Sequence, residues 1–523
     1  MQIMNRQIKP VNFYKTYSTY LLWLIFFLGL GLRVYGLGNH NFWYDEAMSF
    51  YDSSLIKLSN FVFFQHNQLY FLFLRFWSLC FGKSEFALRS LSMVFGVLSI
   101  PLAYKIGRLF FDRRVGLASA LILAISPMHI WYSQEARGYC LSTFLTMLMA
   151  YFFFSAVKKN RLCLWVGFIL SSGAAVYTNY FCFYVLIAVS ALFFLKIYRH
   201  LLWQWIASIG FILLVFLPLV PVFIKRINAV ISIFWIPKPY LNSIAITFEN
   251  FNAGYNGIPG IYFITSMVFS LLFILGIWRW RKEKKNELII LSLLLFTPII
   301  FTFLVAQIVP VYLDRQLMLF SSFYYIIIAA GLASIKKNVI KMAVFCSIAL
   351  PIAFCLYNYY SLRMPMPLVH HSGVHLKKPV KPAADYINKS FMKGDAIGYS
   401  GPSANSLFYY LWDKIINEKI DVYSFVIKSK LDPYWHQRDG VCFAPNLITK
   451  HIVVLDKEED PCKRLEEYDF KRLWLISSSW PRDGILDRHA QGVRDWMQGH
   501  YSVLDRKEFD GIFIDLYSRY SLG

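Results

Sequence analysis

The sequence predicts a polytopic α-helical membrane protein that ends in a small α/β domain. Of its 523 residues, 57% are hydrophobic and only 16% are charged. Eleven apolar segments are long enough, or nearly so, to cross a bilayer, which takes about 20 residues. After Tyr360 the apolar runs become short and prolines cluster. These observations assign 1–360 to the membrane, 361–382 to a linker and 383–523 to an extracytoplasmic α/β domain.

The first apolar segment, 17–37, is predicted to be a retained membrane helix. Arg6, Lys9 and Lys15 precede it, and no convincing small-residue cleavage site follows it. Ten further segments have similar composition. The predicted crossings are 17–37, 88–111, 115–131, 138–157, 162–178, 181–197, 203–224, 260–279, 287–308, 316–334 and 339–360.

The basic residues fix the predicted topology. The formal net charge is +22, and much of the excess lies in short loops between apolar segments. If each segment crosses once, the basic clusters share one side with the N-terminus, and by the positive-inside rule that side is the cytoplasm. No recognisable nucleic-acid module accompanies the charge, so we expect membrane lipid and not nucleic acid as a partner.

The apolar segment 68–81 does not fit this count. It has roughly 14 residues, which is short for a span and suits a re-entrant or juxtamembrane helix. Counting it as a crossing would move later basic loops to the outer side. We therefore predict that it stays on the outer side.

The topology brings several polar motifs to the outer face. An acidic pair follows the first helix, and a charged loop precedes the segment 138–157. Other segments predicted on the outer side follow later crossings. The full set of predicted outer segments is Asp45-Glu46, His66, the loop 131–139, a long loop over 225–258, Asp314-Arg315 and everything after Tyr360.

In the C-terminal region, alternating apolar residues predict strands, and longer amphipathic stretches predict helices. The strands are predicted at 395–400, 451–456 and 472–477 and near 502–518, and the helices at 383–392, 404–419 and 487–498. The two cysteines in this region, Cys442 and Cys462, leave a disulfide open. The histidines of His370-His371-Ser-Gly-Val-His375 have no acidic or cysteine companions, so we expect a solvated linker and no metal site.

The acidic pair Asp45-Glu46 is a candidate functional site. Adjacent carboxylates beside a bilayer cost free energy, and intramembrane or interfacial carboxylates often do chemistry. A solvated acidic turn at a helix end is the alternative. Aromatic neighbours Trp43 and Tyr44, which are typical of a membrane interface, favour the functional interpretation.

The second candidate motif is Ser133-Gln-Glu-Ala-Arg-Gly-Tyr139. Arg137 can hold a phosphate through two parallel hydrogen bonds, and Glu135 can orient the guanidinium. The alternative is a surface arginine that reaches toward water with Glu135 as its ion-pair partner.

Together these motifs resemble membrane glycosyltransferases of the GT-C type. The resemblance rests on Asp-Glu after the first helix, Ser-Gln-Glu-Ala-Arg-x-Tyr before a later one, an arginine after a later outer loop, and an extracytoplasmic α/β domain. The sequence is similar to the family 39-like branch, which includes protein O-mannosyltransferases and the aminoarabinose transferase of lipid A. The likeness covers about residues 10–360 well, and it covers the rest of the chain only in outline.

The resemblance implies a glycosyltransferase that moves a hexosyl or pentosyl group from a polyprenyl-phosphate donor to an acceptor hydroxyl at the outer face, with inversion. It implies Asp45 as general base, Glu46 as its helper, and Arg137 and Arg315 as ligands of the departing phosphate. The acceptor, which is a glycan, a lipid or a protein, stays open. The family branch implies a bacterial plasma membrane.

Other positions depart from the family pattern. His66-Asn-Gln-Leu-Tyr70 stands where relatives often show His-x-Pro-Pro-Leu-Tyr, and Gln316 follows Arg315 where relatives commonly have tyrosine. His66 and Tyr70 remain candidate substrate contacts. Tyr139 and Tyr180 are two further candidates, although Tyr180 also fits an aromatic belt.

Two competing functions are a flippase or transporter of lipid-linked sugars and a glycan-binding scaffold. Transporters usually place polar groups near the bilayer midplane within repeated halves. Here the charges lie at outer helix ends and no repeat is evident, while a scaffold leaves the acidic pair without a role. The resemblance implies that no cofactor is required. A divalent cation stays open, because oligosaccharyltransferases of this broad fold use one.

Overall fold

The computed structural model describes residues 13–61, 68–194, 198–233, 236–365, 380–400, 404–427, 451–455, 470–478 and 488–518. The chain forms two compact units, each assembled from separate stretches. The helical unit comprises Met1–Leu37, Lys57–Phe73 and Ala87–Gly373, and the α/β unit comprises Gly38–Ile56, Leu74–Phe86 and Val374–Gly523. The sequence boundaries at 360 and 383 treat the domains as consecutive, whereas the compact α/β unit also takes in 38–56 and 74–86.

Helices account for the whole of the described chain's regular structure before residue 361. In chain order they are α1 (Phe13–Val34), α2 (Tyr44–Leu55), α3 (Gln68–Phe81), α4 (Glu85–Phe110), α5 (Arg113–Ile125), α6 (Pro127–Ser133), α7 (Tyr139–Lys159), α8 (Leu162–Thr178), α9 (Phe183–Phe194), α10 (Leu202–Phe216), α11 (Val220–Ile233), α12 (Leu241–Ala253), α13 (Pro259–Trp280), α14 (Lys285–Val305), α15 (Asp314–Ser334) and α16 (Asn338–Tyr360).

Eight helical segments within the described residues are long and apolar enough to span a membrane, which confirms a multi-pass membrane protein. A ninth arises if α5 and α6 are taken as one bent span. Helix α8 and the segment Tyr180–Phe193 are apolar but shorter. The count of eleven crossings therefore remains a prediction. The segment 68–81 is a helix of 14 residues with the expected bounds.

Two predictions for the helical unit are corrected. The crossing 115–131 is not one straight helix, because its axis bends by 58° where α5 ends and α6 begins. Pro127, at the first position of α6, has no N–H to continue the helix. The region 225–258 is not a long loop either. It contains the end of α11 and all of α12, and the span 203–224 extends to cover Arg199–Asn228.

A fully buried arginine supports the break between α5 and α6. Arg33 of α1 donates to the carbonyls of Leu123 and Ala124, over 3.0 and 2.8 Å, and to Ser133 Oγ over 3.1 Å. The Leu123 carbonyl would normally accept from the residue four positions on, which is Pro127 and has no N–H. Unsatisfied backbone groups are costly away from water. The Arg33 guanidinium therefore donates hydrogen bonds to carbonyls that the interrupted helix backbone leaves without an N–H donor.

Helix α15 lies at the centre of the helical unit and is buried over most of its length. It packs against α13 through a pair of glycines. A methyl group built at Gly276 would lie 2.4 Å from the Ile327 carbonyl oxygen, and one at Gly331 would lie 2.0 Å from the Leu272 carbonyl oxygen. Only glycine permits this backbone contact, as is common between membrane helices.

The α/β unit contains a six-stranded sheet with the order β3-β2-β1-β4-β6-β5. Strands β1 to β4 are parallel, and β5 and β6 form an antiparallel pair beside β4. The strands are β1 (Asp395–Ser400), β2 (Val422–Ile427), β3 (His451–Leu455), β4 (Arg472–Ser478), β5 (Ser502–Glu508) and β6 (Ile512–Ser518), and the helices are α17 (Val380–Ser390), α18 (Ala404–Asn417) and α19 (Arg488–His500).

The predicted strands and helices of this unit are confirmed with small changes in their bounds, but β2 was missed. Its sequence, Val422-Tyr-Ser-Phe-Val-Ile427, is rich in β-branched and aromatic residues, so the signal was present. Two ion pairs at one buried carboxylate connect α19 and β5 to β6. Asp515 is fully buried and accepts from Arg494 over 2.6 and 2.9 Å and from Arg506 over 2.7 Å.

The contacts of Arg33 give a stability prediction. Replacing it with methionine should lower the thermal unfolding temperature, because each buried carbonyl left without a donor costs about 1–3 kcal/mol. In a Pro127→Ala background the loss should be smaller, since the restored N–H can serve the Leu123 carbonyl. Tryptophan fluorescence of the four proteins in detergent measures this coupling. Strictly additive losses would contradict the interpretation.

Candidate functional site

The predicted site residues are distributed over both compact units. Asp45 and Glu46 belong to the α/β unit. His66 lies outside the described residues, as do Cys442, Cys462 and the histidines 370, 371 and 375. The candidates in the helical unit are Tyr70, Glu135, Arg137, Tyr139, Tyr180 and Arg315.

The loop between α6 and α7 carries the Glu135 and Arg137 pair and is held by hydrogen bonds on both sides. The Gln134 side-chain amide donates to the carbonyls of Arg33 and Tyr35, over 2.9 and 2.7 Å. The Tyr359 hydroxyl donates to Gln134 Oε1 over 2.8 Å. The loop is therefore fastened to the end of α1 and to α16, and its backbone has a defined position.

Glu135 is buried, and its carboxylate is fixed by a neighbouring indole. Trp131 Nε1 donates to Glu135 Oε1 over 2.7 Å, and the two residues are four positions apart in the chain. The Trp131 ring packs against Tyr255 and Tyr359. Burial raises the pKa of the Tyr255 hydroxyl, which stays neutral and shares a hydrogen bond of 2.8 Å with Tyr132. The Glu135 carboxylate is therefore surrounded by packed aromatic side chains.

Arg137 and Arg315 both lie near the ring of Tyr139, although they come from separate elements of the helical unit. The guanidinium carbons of Arg137 and Arg315 each lie 5.9 Å from the centroid of the Tyr139 ring. Tyr132 packs edge-on against the same ring, with 4.9 Å between ring centroids. The negative face of an aromatic ring attracts both cations. Two guanidinium groups around one ring are suited to binding an anion.

The residues on either side of Arg315 fix the start of α15. The buried carboxylate of Asp314 accepts a hydrogen bond from the Asn250 side-chain amide. Gln316 Oε1 accepts from the Asn179 amide over 2.9 Å. Gln316 had counted only as a departure from the family pattern, but in the structure it links α15 to the end of α8. These two contacts hold the helix turn from which Arg315 projects.

Tyr70 and Tyr180 make packing and hydrogen-bonding contacts within the protein. The Tyr70 hydroxyl is hydrogen-bonded to Ser92 over 3.0 Å, and Ser92 donates to the carbonyl of Arg137 over 2.9 Å. Tyr70 thereby helps to position the loop 134–138 between α6 and α7, which we call the arginine loop. The Tyr180 ring packs against Phe216 and Phe223. Substrate contact by either tyrosine remains a prediction.

In the α/β unit, Asp45 and Glu46 occupy the first turn of α2. Glu46 is fully buried, and its Oε2 accepts from the Trp43 backbone N–H over 3.5 Å, while Asp45 is half-buried. Negative charge is stabilised at a helix N-terminus by the exposed N–H groups and the helix dipole. Trp43, which the sequence predicts at the membrane-interface belt, is buried within the protein. The two carboxylates therefore differ in access to solvent.

Four residues that position the candidate site were not predicted from the sequence, namely Arg33, Trp131, Asn179 and Tyr255. A usable signal existed only for Arg33, because a charged residue inside a membrane segment is a functional candidate by itself. Among the described residues there is no group of three or more His, Cys, Asp or Glu side chains that could hold a metal ion.

Comparisons with known proteins agree with the resemblance seen in the sequence. Residues 65–224 match the sequence model of the dolichyl-phosphate-mannose-protein mannosyltransferase family. No curated protein sequence matches the chain.

Solved structures of similar fold include the following three. ArnT from Cupriavidus metallidurans in the apo state has a TM-score of 0.60 at 11% identity, covering 96% of this chain and 97% of that one. The same protein bound to undecaprenyl phosphate has a TM-score of 0.58 at 12% identity, covering 98% and 99%. The oligosaccharyltransferase AglB from Archaeoglobus fulgidus, in complex with an inhibitory peptide and a dolichol-phosphate, has a TM-score of 0.53 at 12% identity, covering 97% and 75%.

The resemblance to GT-C type glycosyltransferases is therefore confirmed. The structural likeness shows the fold over nearly the whole chain. The family match over 65–224, which includes the arginine loop, supports a membrane glycosyltransferase.

The arginine pair gives a binding prediction that does not depend on catalysis. Pyrophosphate should raise the thermal unfolding temperature of the wild type, by an amount equivalent to about 2.7 kcal/mol at a concentration near 100 Kd. The double variant Arg137→Gln, Arg315→Gln should lose this stabilisation. Arg279→Gln, Lys282→Gln removes the same charge elsewhere and is the matched control. An equal loss in both double variants would indicate a general charge effect.

Proposed function

We propose that this protein transfers a sugar from a polyprenyl-phosphate donor to an acceptor hydroxyl at the outer face of a bacterial plasma membrane. The observation that carries the proposal is the meeting of Arg137 and Arg315 at the Tyr139 ring. Such a pair can receive a phosphate that gains negative charge as it leaves. The undecaprenyl phosphate bound to ArnT, a protein of similar fold, supports the donor class.

In the proposed reaction Asp45 takes the proton of the acceptor hydroxyl. The acceptor oxygen forms a bond to the anomeric carbon while the bond from that carbon to the phosphate oxygen breaks, and the electron pair remains on the phosphate. One displacement from the opposite side inverts the anomeric configuration. Polyprenyl phosphate leaves readily as an anion, so one base and two cations suffice and no strong acid is needed.

The roles of the two carboxylates follow from their burial. Asp45 is half-buried at the N-terminus of α2, so it can reach a substrate proton, whereas Glu46 is fully buried beside the Trp43 N–H. We assign Asp45 as the base and Glu46 as a positioning residue that braces the first turn. The proposed reaction needs no metal ion, and the transferred sugar is a hexose or a pentose.

The reaction is tested with purified protein, radiolabelled polyprenyl-phosphate sugars and envelope extract as acceptor. Asp45→Asn should lower the transfer rate by about 100-fold or more, as for loss of a general base. Asp52→Asn, a neutralised carboxylate on the same helix, should have little effect, and chelation of divalent ions should leave wild-type transfer unchanged. Undiminished transfer by Asp45→Asn would exclude the assigned base. Movement of lipid-linked sugar across vesicles without donor consumption would favour a flippase.

The topology is tested separately. We propose that the N-terminus is cytoplasmic and the C-terminal domain extracytoplasmic. A membrane-impermeant maleimide applied to intact cells should label a cysteine placed at Asp510, which is exposed between β5 and β6, and should not label one placed at Asn160. The measurement uses a background from which all native cysteines have been removed. The reverse labelling pattern would invert the topology and place the proposed reaction in the cytoplasm.

A further inference from the structure

Helix α18 of the sheet domain is apolar on more than one side. Leu407, Phe408 and Leu411 are buried, and the Phe408 ring packs against Tyr399 of β1 with 5.2 Å between centroids. These contacts cover one side of the helix with the sheet. Tyr409, Tyr410 and Trp412 project elsewhere and require a second partner.

The second partner is α2, the helix that carries the acidic pair. Trp412 packs against Tyr51 and Phe50 of α2, with centroid distances of 5.2 and 5.5 Å. Tyr409 packs against Phe50 at 5.1 Å and against Phe42, just before α2, at 4.6 Å. The aromatic residues of α18 therefore pack against the middle of α2 and against the segment that leads into it.

One hydroxyl group holds the segment that leads into α2. The Phe42 backbone N–H donates to the Tyr410 hydroxyl over 3.0 Å, and this hydroxyl donates to Glu85 Oε1 over 2.9 Å. Phe42 is fully buried and lies three positions before Asp45. At its other end, α2 accepts a hydrogen bond of 2.7 Å from Arg75 to the Ser54 carbonyl. The first turn of α2 thus takes its position from the C-terminal domain and from the first turn of α4.

We propose that Tyr410 and the aromatic residues Tyr409 and Trp412 position the proposed base, so that the C-terminal domain is a working part of the transferase. This inference rests on the proposed role of Asp45. Tyr410 touches no reacting atom in this proposal and is a positioning residue. Its hydroxyl sets where the carboxylate stands, and displacement of a reacting group by about 1 Å can cost on the order of 100-fold in rate.

The proposal is tested with Tyr410→Phe, which removes the bridging hydroxyl and keeps the ring. The variant should lower kcat by roughly tenfold to 100-fold, as expected for a displaced reacting group, while KM for the donor stays within about twofold. Trp412→Ala should act in the same direction, and Trp412→Phe should recover part of the rate. Tyr386→Phe is the matched control, because it removes a hydroxyl that bonds Asp505 within the same domain and does not contact α2.

A second measurement does not depend on activity. Hydrogen exchange followed by mass spectrometry should show faster exchange of the amides over 42–51 in Tyr410→Phe than in Tyr386→Phe, with equal protection of the sheet. An unchanged kcat in a Tyr410→Phe protein whose wild type transfers sugar would overturn the inference. If the wild type transfers no sugar, the proposed function fails, and the exchange data still decide whether Tyr410 holds α2. Equal exchange in both variants would overturn the inference as well.

Discussion

The arrangement of the helical unit depends on one constraint, which is that backbone polar groups inside a membrane must find partners within the protein. The helical path is interrupted at Ser126–Pro127, between α5 and α6, and this interruption leaves buried carbonyls of α5 without their usual N–H donors. The guanidinium of Arg33 satisfies two of them and also bonds Ser133. Without that side chain a bent span would be costly. With it, α6 can turn aside and direct the loop after Ser133 toward the start of α7.

The arginine loop shows how a short polar motif gains chemical use from its surroundings. Glu135 is oriented by Trp131, and the backbone of Arg137 is held by Ser92. Arg315 comes from a helix nearly two hundred residues later, yet it faces the same Tyr139 ring. Each guanidinium is therefore held by its own set of contacts, so the two cations can stabilise a bound anion with little rearrangement.

Much of this architecture was readable from composition and periodicity. The apolar segments, the short helix 68–81 and most strands of the sheet were predicted, because hydrophobic period and length report burial directly. The sequence also pointed to Arg137 and Arg315. It did not predict the bend at Pro127, the helices within 225–258, or the partners Trp131 and Asn179. These features depend on contacts between segments far apart in the chain, and a single sequence does not show which residues are neighbours in space. The grouping of 38–56 with the C-terminal sheet was hidden for the same reason.

The glycine pair between α13 and α15 has a mechanical consequence. Since Gly276 and Gly331 bring carbonyl oxygens and α-carbons into direct contact, a slide of either helix by one residue would drive a side chain into the backbone of the other. The close contact therefore opposes sliding of one helix along the other. Arg315 lies in the first turn of α15, at the opposite end of that helix from Gly331, so this packing supports the helix that carries it. The glycine pair thus constrains where α15, and the arginine at its start, can lie within the helical unit.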